Sequence, residues 1–268
     1  MSDVAVAAVA RGCHILSGCG FPAPSLEDFQ FKPIFSIGGF HFTKPMLLAL
    51  ICAFIVVGFF WSAFARPKIV PRGVQSLAEL GLMFVRDQIL RPALGKKGDR
   101  FLPFLVSLFF FIWLMNLMEI IPLAQFPVAS RIAFSWGLVA LVWLTFMYIG
   151  VRRQGPLGFF ASLVPKGTPW WILPLLAPIV ILSDIVVQTF TLGVRLFANM
   201  FAGTLLLDVF IAATWYLASL SVFAIFAAGS FLMVVALTAF ELLIQFLQAF
   251  IFTTLTATYI ARSIEPEH

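Results

Sequence analysis

With 268 residues, of which 62% are hydrophobic and only 11% are charged, the chain lacks the polar surface that a soluble protein of this length needs. Its net charge of +5 is spread between apolar runs rather than gathered in one patch, which argues against nucleic acid as a partner. The cysteines show no CxxC or Cys/His spacing that would indicate a metal site. The composition therefore predicts an all-α, polytopic membrane protein.

The N-terminal region, residues 1–44, is predicted to be an extracytoplasmic segment. Within it, residues 16–19 resemble the cleavage box of a lipoprotein. However, the preceding residues lack the positively charged start and the long apolar core of a signal sequence. We therefore expect an ordinary tail outside the membrane rather than a processed anchor.

Residues 45–268 are predicted to form a single membrane domain. A spanning helix needs about 20 mostly apolar residues, and five regions satisfy this requirement. They are approximately residues 45–64, 102–121, 132–151, 171–214 and 216–262. The last two are much longer than a perpendicular span requires, because about 40 helical residues extend about 60 Å. These two C-terminal helices are therefore predicted to tilt strongly, kink or project from the bilayer.

The region between the first two spans, about residues 74–90, has a different pattern. Apolar residues such as Leu77 and Leu80 alternate with charged residues such as Glu79 and Arg86 at helical spacing. This pattern predicts an amphipathic helix lying at the cytoplasmic interface of the membrane. An ordinary packed cytoplasmic helix is the alternative interpretation.

The basic residues outside the spans predict the orientation. Eight follow the first span, three follow the third and one follows the fifth, whereas four lie on the other side of the membrane. Because Lys and Arg are enriched in cytoplasmic loops, the N-terminus is predicted to lie outside and the C-terminus in the cytoplasm.

Ionisable residues inside the spans are expensive in lipid and are therefore functional candidates. They are Glu119, Asp184, Arg195, Asp208 and Glu241. At 100° per residue, one face of the fourth span carries a narrow polar stripe of Asp184, Gln188, Thr191, Arg195 and Asn199, whereas Asp208 points to the opposite side. An arginine keeps its charge inside a protein, and no acid lies within one turn of Arg195 on its own helix. The counter-charge is therefore expected from another chain.

The fifth span carries a second polar stripe, formed by Thr238, Glu241, Gln245 and Gln248. Two such stripes on antiparallel helices are predicted to line a hydrated path. The alternative is that these side chains only form hydrogen bonds between helices and hold the bundle together.

Four sequence motifs resemble those of the F-type ATP synthase subunit a family, and they occur in that family's order. They are PRGVQ at 71–75, NLMEIIP at 116–122, TLGVRLFANMFAG at 191–203 and QAFIFT at 248–253. The resemblance implies a proton-translocating subunit of the F0 sector that offers two offset half-channels to a ring of c subunits. In this interpretation Arg195 is the family's essential arginine, and Asn199 and Gln248 are its neighbours. Glu241 occupies a channel position, and Asn116 and Glu119 belong to the second-span motif.

The resemblance also implies the partners and the location. The expected partners are the c-ring, the b subunits of the peripheral stalk, the F1 sector within the assembled complex, and membrane lipid. The expected location is the bacterial inner membrane. The subunit itself is expected to be non-catalytic and to need no cofactor.

Two positions depart from the commoner family pattern. Ile181 and Thr204 stand where many relatives carry ionisable residues. Asp184, three residues after Ile181, is a candidate substitute on the cytoplasmic side.

Two other classes of function remain as alternatives. A secondary transporter should contain internal repeats and helices broken near mid-membrane, which this sequence lacks. A purely structural membrane subunit would not require a lone arginine in a polar stripe.

Overall fold

The computed structural model describes most of the membrane domain. The described residues are 21, 35–37, 40–118, 120–121, 132–155, 158–159, 172–218 and 223–264. The lipoprotein-like residues 16–19, together with Glu119 and Arg131, lie outside them.

Helices dominate the described chain. Helix α1 is Lys44–Phe64, α2 is Val74–Val85, α3 is Leu102–Leu117 and α4 is Ile132–Gln154. Helix α5 is Leu173–Ile181, α6 is Gln188–Leu217 and α7 is Phe223–Ile264. Five of the described helices, namely α1, α3, α4, α6 and α7, are long and apolar enough to cross a membrane. The predicted all-α, polytopic fold class is therefore confirmed.

Some boundaries differ from the prediction. Helix α3 ends at Leu117, four residues before the predicted end of the second span. The fourth predicted span is one helical run in three parts, because a π-helical turn, Leu182–Val187, separates α5 from α6. The division that we placed between residues 214 and 216 lies inside α6, which continues to Leu217.

A small antiparallel hairpin precedes α1. Strands β1 (Phe35–Ile37) and β2 (Phe40–Phe42) pair with Phe35 opposite Phe42 and Ile37 opposite Phe40. Three-residue strands give too short a pattern to be recognised in the sequence, and they were not predicted.

Helix α2 begins where the amphipathic pattern predicts, and a π-helical turn, Arg86–Leu90, continues it. The residue before it, Gly73, has a φ of 62°, which L side chains rarely adopt. Gln75 fixes the start of the helix: its Nε2 donates to the carbonyl of Lys68 (2.9 Å) and to Glu79 (2.8 Å). Its Oε1 accepts from the backbone N–H of Lys68 (3.0 Å). We call this arrangement the Gln75 clamp.

The two faces of α2 differ. Ala78 and Val85 are buried, whereas Leu77 and Leu80 are more than half exposed. A helix that exposes large apolar side chains beside a buried face fits the boundary between lipid and protein.

The described residues divide into two compact units. The Glu241 unit comprises the described parts of Met1–Cys52, Leu114–Ser130 and Ala198–Leu247. The Arg195 unit comprises the described parts of Ala53–Trp113, Arg131–Phe197 and Gln248–His268.

The core of the Arg195 unit is aromatic. The Phe84 ring lies 5.7 Å from that of Phe109 and 6.2 Å from that of Phe250, which joins α2, α3 and α7. Gly81 lets α2 approach α3, because a Cβ at this position would lie 2.6 Å from Cζ of Phe110.

The last turn of α7 is bonded to α4 within the same unit. The Ser263 hydroxyl donates to the carbonyl of Phe146 (3.3 Å), and Gln154 Nε2 donates to the carbonyl of Ser263 (2.9 Å). The rings of Phe146 and Tyr259 lie 5.9 Å apart beside these bonds. We call this set of contacts the Ser263 lock.

Candidate functional site

Arg195 lies on α6, and the other face of this helix packs on α4. Gly193 lies against α4, since a Cβ there would stand 3.2 Å from Cγ2 of Val139. Leu192 and Leu196 are buried on the same side. Arg195 is exposed and makes no ion pair or hydrogen bond with the residues that the structure describes. The packing of α6 against α4 therefore turns the guanidinium away from the interior of its unit.

Other predicted residues of the fourth span differ in exposure. Thr191, one turn before Arg195, is exposed, and its hydroxyl donates to the carbonyl of Val187 at 2.7 Å. Gln188 is half-buried. Asn199, which belongs to the Glu241 unit, is exposed. We call the exposed pair Thr191 and Arg195 the Arg195 face.

Asp184 lies within the π-helical turn Leu182–Val187, so its predicted angular position is wrong. The prediction assumed 100° per residue from Asp184 to Arg195. A π-helical turn, with its i→i+5 bonds, contains more residues than an α-helical turn and rotates each of them by less. The backbone at Asp184 is therefore offset from the face that a continuous α-helix would give.

Three polar residues of the predicted stripe on α7 are buried, whereas Thr238 is half-buried. Glu241 is 5% exposed, Gln245 is fully buried and Gln248 is 2% exposed. Their spacing of four and three residues on a regular helix places them on one side, as predicted. The intervening Leu242 and Leu243 are exposed. We call the two members within the Glu241 unit, Glu241 and Gln245, the Glu241 line.

A glycine makes room for the Glu241 carboxyl. A Cβ built on Gly203 of α6 would overlap that carboxyl, with Cδ at 2.5 Å and both oxygens closer still. Within the described residues, Glu241 Oε1 is buried without a hydrogen-bond partner. Our sequence interpretation treated Gly203 only as the end of a motif. A glycine inside an apolar helical run gave no signal that a carboxyl would lie against it.

Thr204 and Asn116 are buried members of the Glu241 unit. The Thr204 hydroxyl donates to the carbonyl of Met200 at 2.7 Å, so it is satisfied within its own helix. Asn116, near the end of α3, is fully buried, and neither atom of its side-chain amide has a hydrogen-bond partner among the described residues. A buried amide without a partner costs about 1–3 kcal/mol, which suits a site that water or another group occupies.

Arg195 and Glu241 lie in separate units and differ in their charge chemistry. Arg195 supplies a permanent cation at an exposed position, and Glu241 supplies a carboxyl at a sheltered one. Among the described residues, no group of three or more His, Cys, Asp and Glu side chains could hold a metal ion.

Comparisons with known proteins give the family. A family model described as ATP synthase A chain matches residues 46–261. The ATP synthase subunit a of Streptomyces lividans is 46% identical over 267 residues, which cover 98% of this chain and 95% of that protein. The subunit a of Frankia alni is 44% identical over 92% of this chain and 87% of that protein. The subunit a of Rhodococcus erythropolis is 40% identical over 92% of this chain and 92% of that protein. This multi-pass membrane protein belongs to the ATP synthase subunit a family.

Proposed function

We propose that this chain is the proton-translocating subunit a of an F0 sector, and that it offers two offset half-channels to a c-ring. Proton flow through the half-channels would then be coupled to rotation of the ring and to ATP synthesis. The observation that carries the proposal is Arg195, an exposed arginine on an apolar membrane helix with no counter-charge among the described residues.

Electrostatics supports a partner for Arg195 outside this chain. An arginine at the centre of a membrane helix costs about 2.5–3.5 kcal/mol even on the most permissive scale. The guanidinium does not give up its proton, so it cannot lower this cost by becoming neutral. A carboxylate on each c subunit would supply the missing anion. Arg195 would favour its ionised form and so promote release of its proton.

The same property would prevent a short circuit. A group that does not exchange its proton cannot pass protons directly from one half-channel to the other, so the current must travel with the ring. Each charge that crosses the membrane is worth about 2.3 kcal/mol per 100 mV, which a leak would dissipate.

Glu241 is our candidate for the proton-exchanging group of the outer half-channel. Its burial and the space left by Gly203 support this role, because a sheltered carboxyl with an unpartnered oxygen is suited to take up and release a proton. We place Gln245, Gln248, Asn199, Asn116 and Glu119 in the same half-channel. Asp184 and Gln188 are assigned to the cytoplasmic half-channel.

The proposed setting follows from the charge distribution and the family. The chain would lie in the bacterial inner membrane with residues 1–44 and the N-terminus outside and the C-terminus in the cytoplasm. Residues 45–268 would act as one membrane domain, with α2 at the cytoplasmic interface. Its partners would be the c-ring, the b subunits and the F1 sector, which holds the catalytic sites.

Purification and reconstitution test this function. An affinity-tagged chain is extracted from native membranes in mild detergent, and the complex is reconstituted into sealed vesicles. We expect a c-ring and a soluble ATPase sector to co-purify, and added ATP to drive proton uptake that an uncoupler abolishes. Isolation of the chain without a ring, or ATP hydrolysis without proton uptake in a tightly sealed vesicle, would contradict the proposal.

A further inference from the structure

A small cavity at the C-terminal end of α4 is rich in arginine. It is lined by Arg100, Phe101, Tyr148, Ile149, Arg152 and Arg153. All of these residues belong to the Arg195 unit, and none of them is a residue of the proposed proton path. Among the described residues that line the cavity, three are basic and none is acidic.

The positive charge of this cavity is not neutralised within the described chain. Arg100, Arg152 and Arg153 are exposed, and none forms an ion pair with a described residue. The nearby Asp99 is already engaged with Arg91, at 3.6 Å.

Aromatic rings hold two of these guanidinium groups at the cavity wall. The Arg152 guanidinium donates to the Tyr148 hydroxyl and lies 5.6 Å from the centre of the Tyr148 ring. That of Arg100 lies 4.7 Å from the centre of the Phe101 ring. These contacts restrict the guanidinium groups, so less conformational entropy is lost when they bind an anion.

An apolar groove adjoins the cavity. It is lined by Leu144, Met147, Tyr148, Val151 and Arg152, so Tyr148 and Arg152 belong to both walls. The groove follows one face of α4, and Leu144 and Arg152, eight residues apart, are separated by about 12 Å along the helix. Leu144 is 60% exposed at its far end.

We propose that the cavity and the groove together bind an anionic phospholipid. Its phosphate lies among the three arginines, and an acyl chain follows the groove past Leu144. The planar guanidinium matches phosphate oxygens in a bidentate manner, and basic pockets at the membrane surface select anionic headgroups. Tyr148 lies between the two parts, where an amphipathic ring suits the headgroup level. A free phosphate ion would use the cavity but would leave the groove uncovered.

Lipid binding to the purified, delipidated complex tests this site. We would measure the affinity for phosphatidylglycerol, for phosphatidylcholine with the same acyl chains, and for inorganic phosphate. The variant Arg152→Gln/Arg153→Gln removes two cavity charges. The variant Arg66→Gln/Arg72→Gln removes the same charge from the exposed segment between α1 and α2 and is the matched control. Each interfacial arginine contributes about fivefold in affinity, so the cavity variant should bind phosphatidylglycerol about 25-fold more weakly.

The control variant and the other ligands decide the outcome. The control should retain nearly wild-type affinity, and phosphatidylcholine should bind weakly to every form of the complex. A second substitution, Leu144→Ser, alters only the groove and should weaken binding of long-chain but not of short-chain phosphatidylglycerol. An equal loss in the control, tight binding of phosphatidylcholine, or displacement of the lipid by low concentrations of inorganic phosphate would each overturn the proposal. The rate of ATP hydrolysis serves as the check that each complex is intact.

Discussion

The Arg195 face of α6 and the Glu241 line of α7 both carry polar residues at helical spacing, yet they differ in exposure. Thr191 and Arg195 are exposed, whereas Glu241 and Gln245 are buried. On α7 the arrangement is the usual one for a membrane helix, with leucines outside and polar groups inside. Around the Arg195 face of α6, the polar side chains are exposed and the nearby leucines Leu192 and Leu196 are buried. A charged surface in contact with lipid is costly, which supports our proposal that a c-ring lies against the Arg195 face.

The two regions also differ in how each can lower the free-energy cost of a charge within a membrane. The Glu241 carboxyl can become neutral by taking up a proton, so a sheltered position is tolerable without a cation beside it. Arg195 has no neutral form to adopt and requires a partner from outside. The comparison predicts that substitutions at Arg195 act on transport alone, whereas those around Glu241 act on both transport and packing.

Arg195→Ala should have the largest effect and reduce ATP-driven proton pumping to background. Because the side chain is exposed and has no described partner, the yield of assembled complex should stay close to normal. Pumping is measured as dye quenching in inverted vesicles, with Arg72→Ala, an exposed arginine between α1 and α2, as the control. Arg195→Lys should also fail, since a lysine can lose its proton in an apolar setting. Normal pumping by Arg195→Ala would remove the basis of the proposed mechanism.

Glu241→Gln should lower the transport rate per assembled complex roughly ten- to a hundredfold, because the amide keeps the shape but cannot exchange a proton. The c-ring should still co-purify. Asp87→Asn, which neutralises an exposed carboxylate after α2, is the control and should leave transport unchanged. A purely structural carboxyl would instead lower the yield of complex and leave the rate per complex unaltered. That result would assign Glu241 to packing alone.

Gly203→Ala should reduce both complex yield and transport, by less than the loss of the Glu241 carboxyl. The added methyl overlaps the carboxyl, and overpacking of this kind costs about 1–3 kcal/mol. Glu241→Asp in the same chain shortens the acid by one methylene and should restore part of the transport. Gly229→Ala on α7 is the control, since a Cβ built there would meet no described atom within 4 Å beyond the adjoining residues and the local helix backbone. Failure of the shorter acid to improve the Gly203→Ala complex would show that contact with Glu241 is not the cause.

Asp184→Asn should have the smallest effect, slowing ATP synthesis by a factor of a few, because water and neighbouring polar groups in a hydrated channel can still pass protons. Accessibility gives the sharper measurement. A cysteine at position 184, in a chain whose native cysteines are replaced, should react with small thiol reagents from the cytoplasmic side. Full protection from these reagents in sealed vesicles would exclude position 184 from the cytoplasmic half-channel.

The positions of the helices were largely predictable because a helix that spans a lipid bilayer requires a long run of apolar residues. Helix α1 begins one residue before the predicted start, and α2 starts at the predicted Val74. The π-helical turn around Asp184 was not predictable, since LSDIVV contains neither glycine nor proline and reads as ordinary helix. The predicted angular position of Asp184 around its helix was therefore wrong.

The sequence spacing predicted which polar residues share a helix face, but it did not predict which of these faces are exposed. Spacing put Glu241, Gln245 and Gln248 on one side of a helix, and the structure agrees. Periodicity does not tell which side of a helix packs on its neighbour. That choice was made at Gly193 of α6, whose lack of a side chain lets Val139 approach, and separately at Gly203, which leaves room for a carboxyl.

The Gln75 clamp and the Ser263 lock imply an order of biogenesis. Every group of the clamp lies between Lys68 and Glu79, so it closes as soon as that short stretch leaves the ribosome. The lock joins Ser263 to Gln154 and Phe146, which precede it by 109 and 117 positions in the sequence. It therefore closes only when nearly the whole chain has been synthesised. Contacts so distant in sequence form late because a long loop must be closed first. A nascent chain that stops before Ser263 therefore leaves the end of α4 without these bonds.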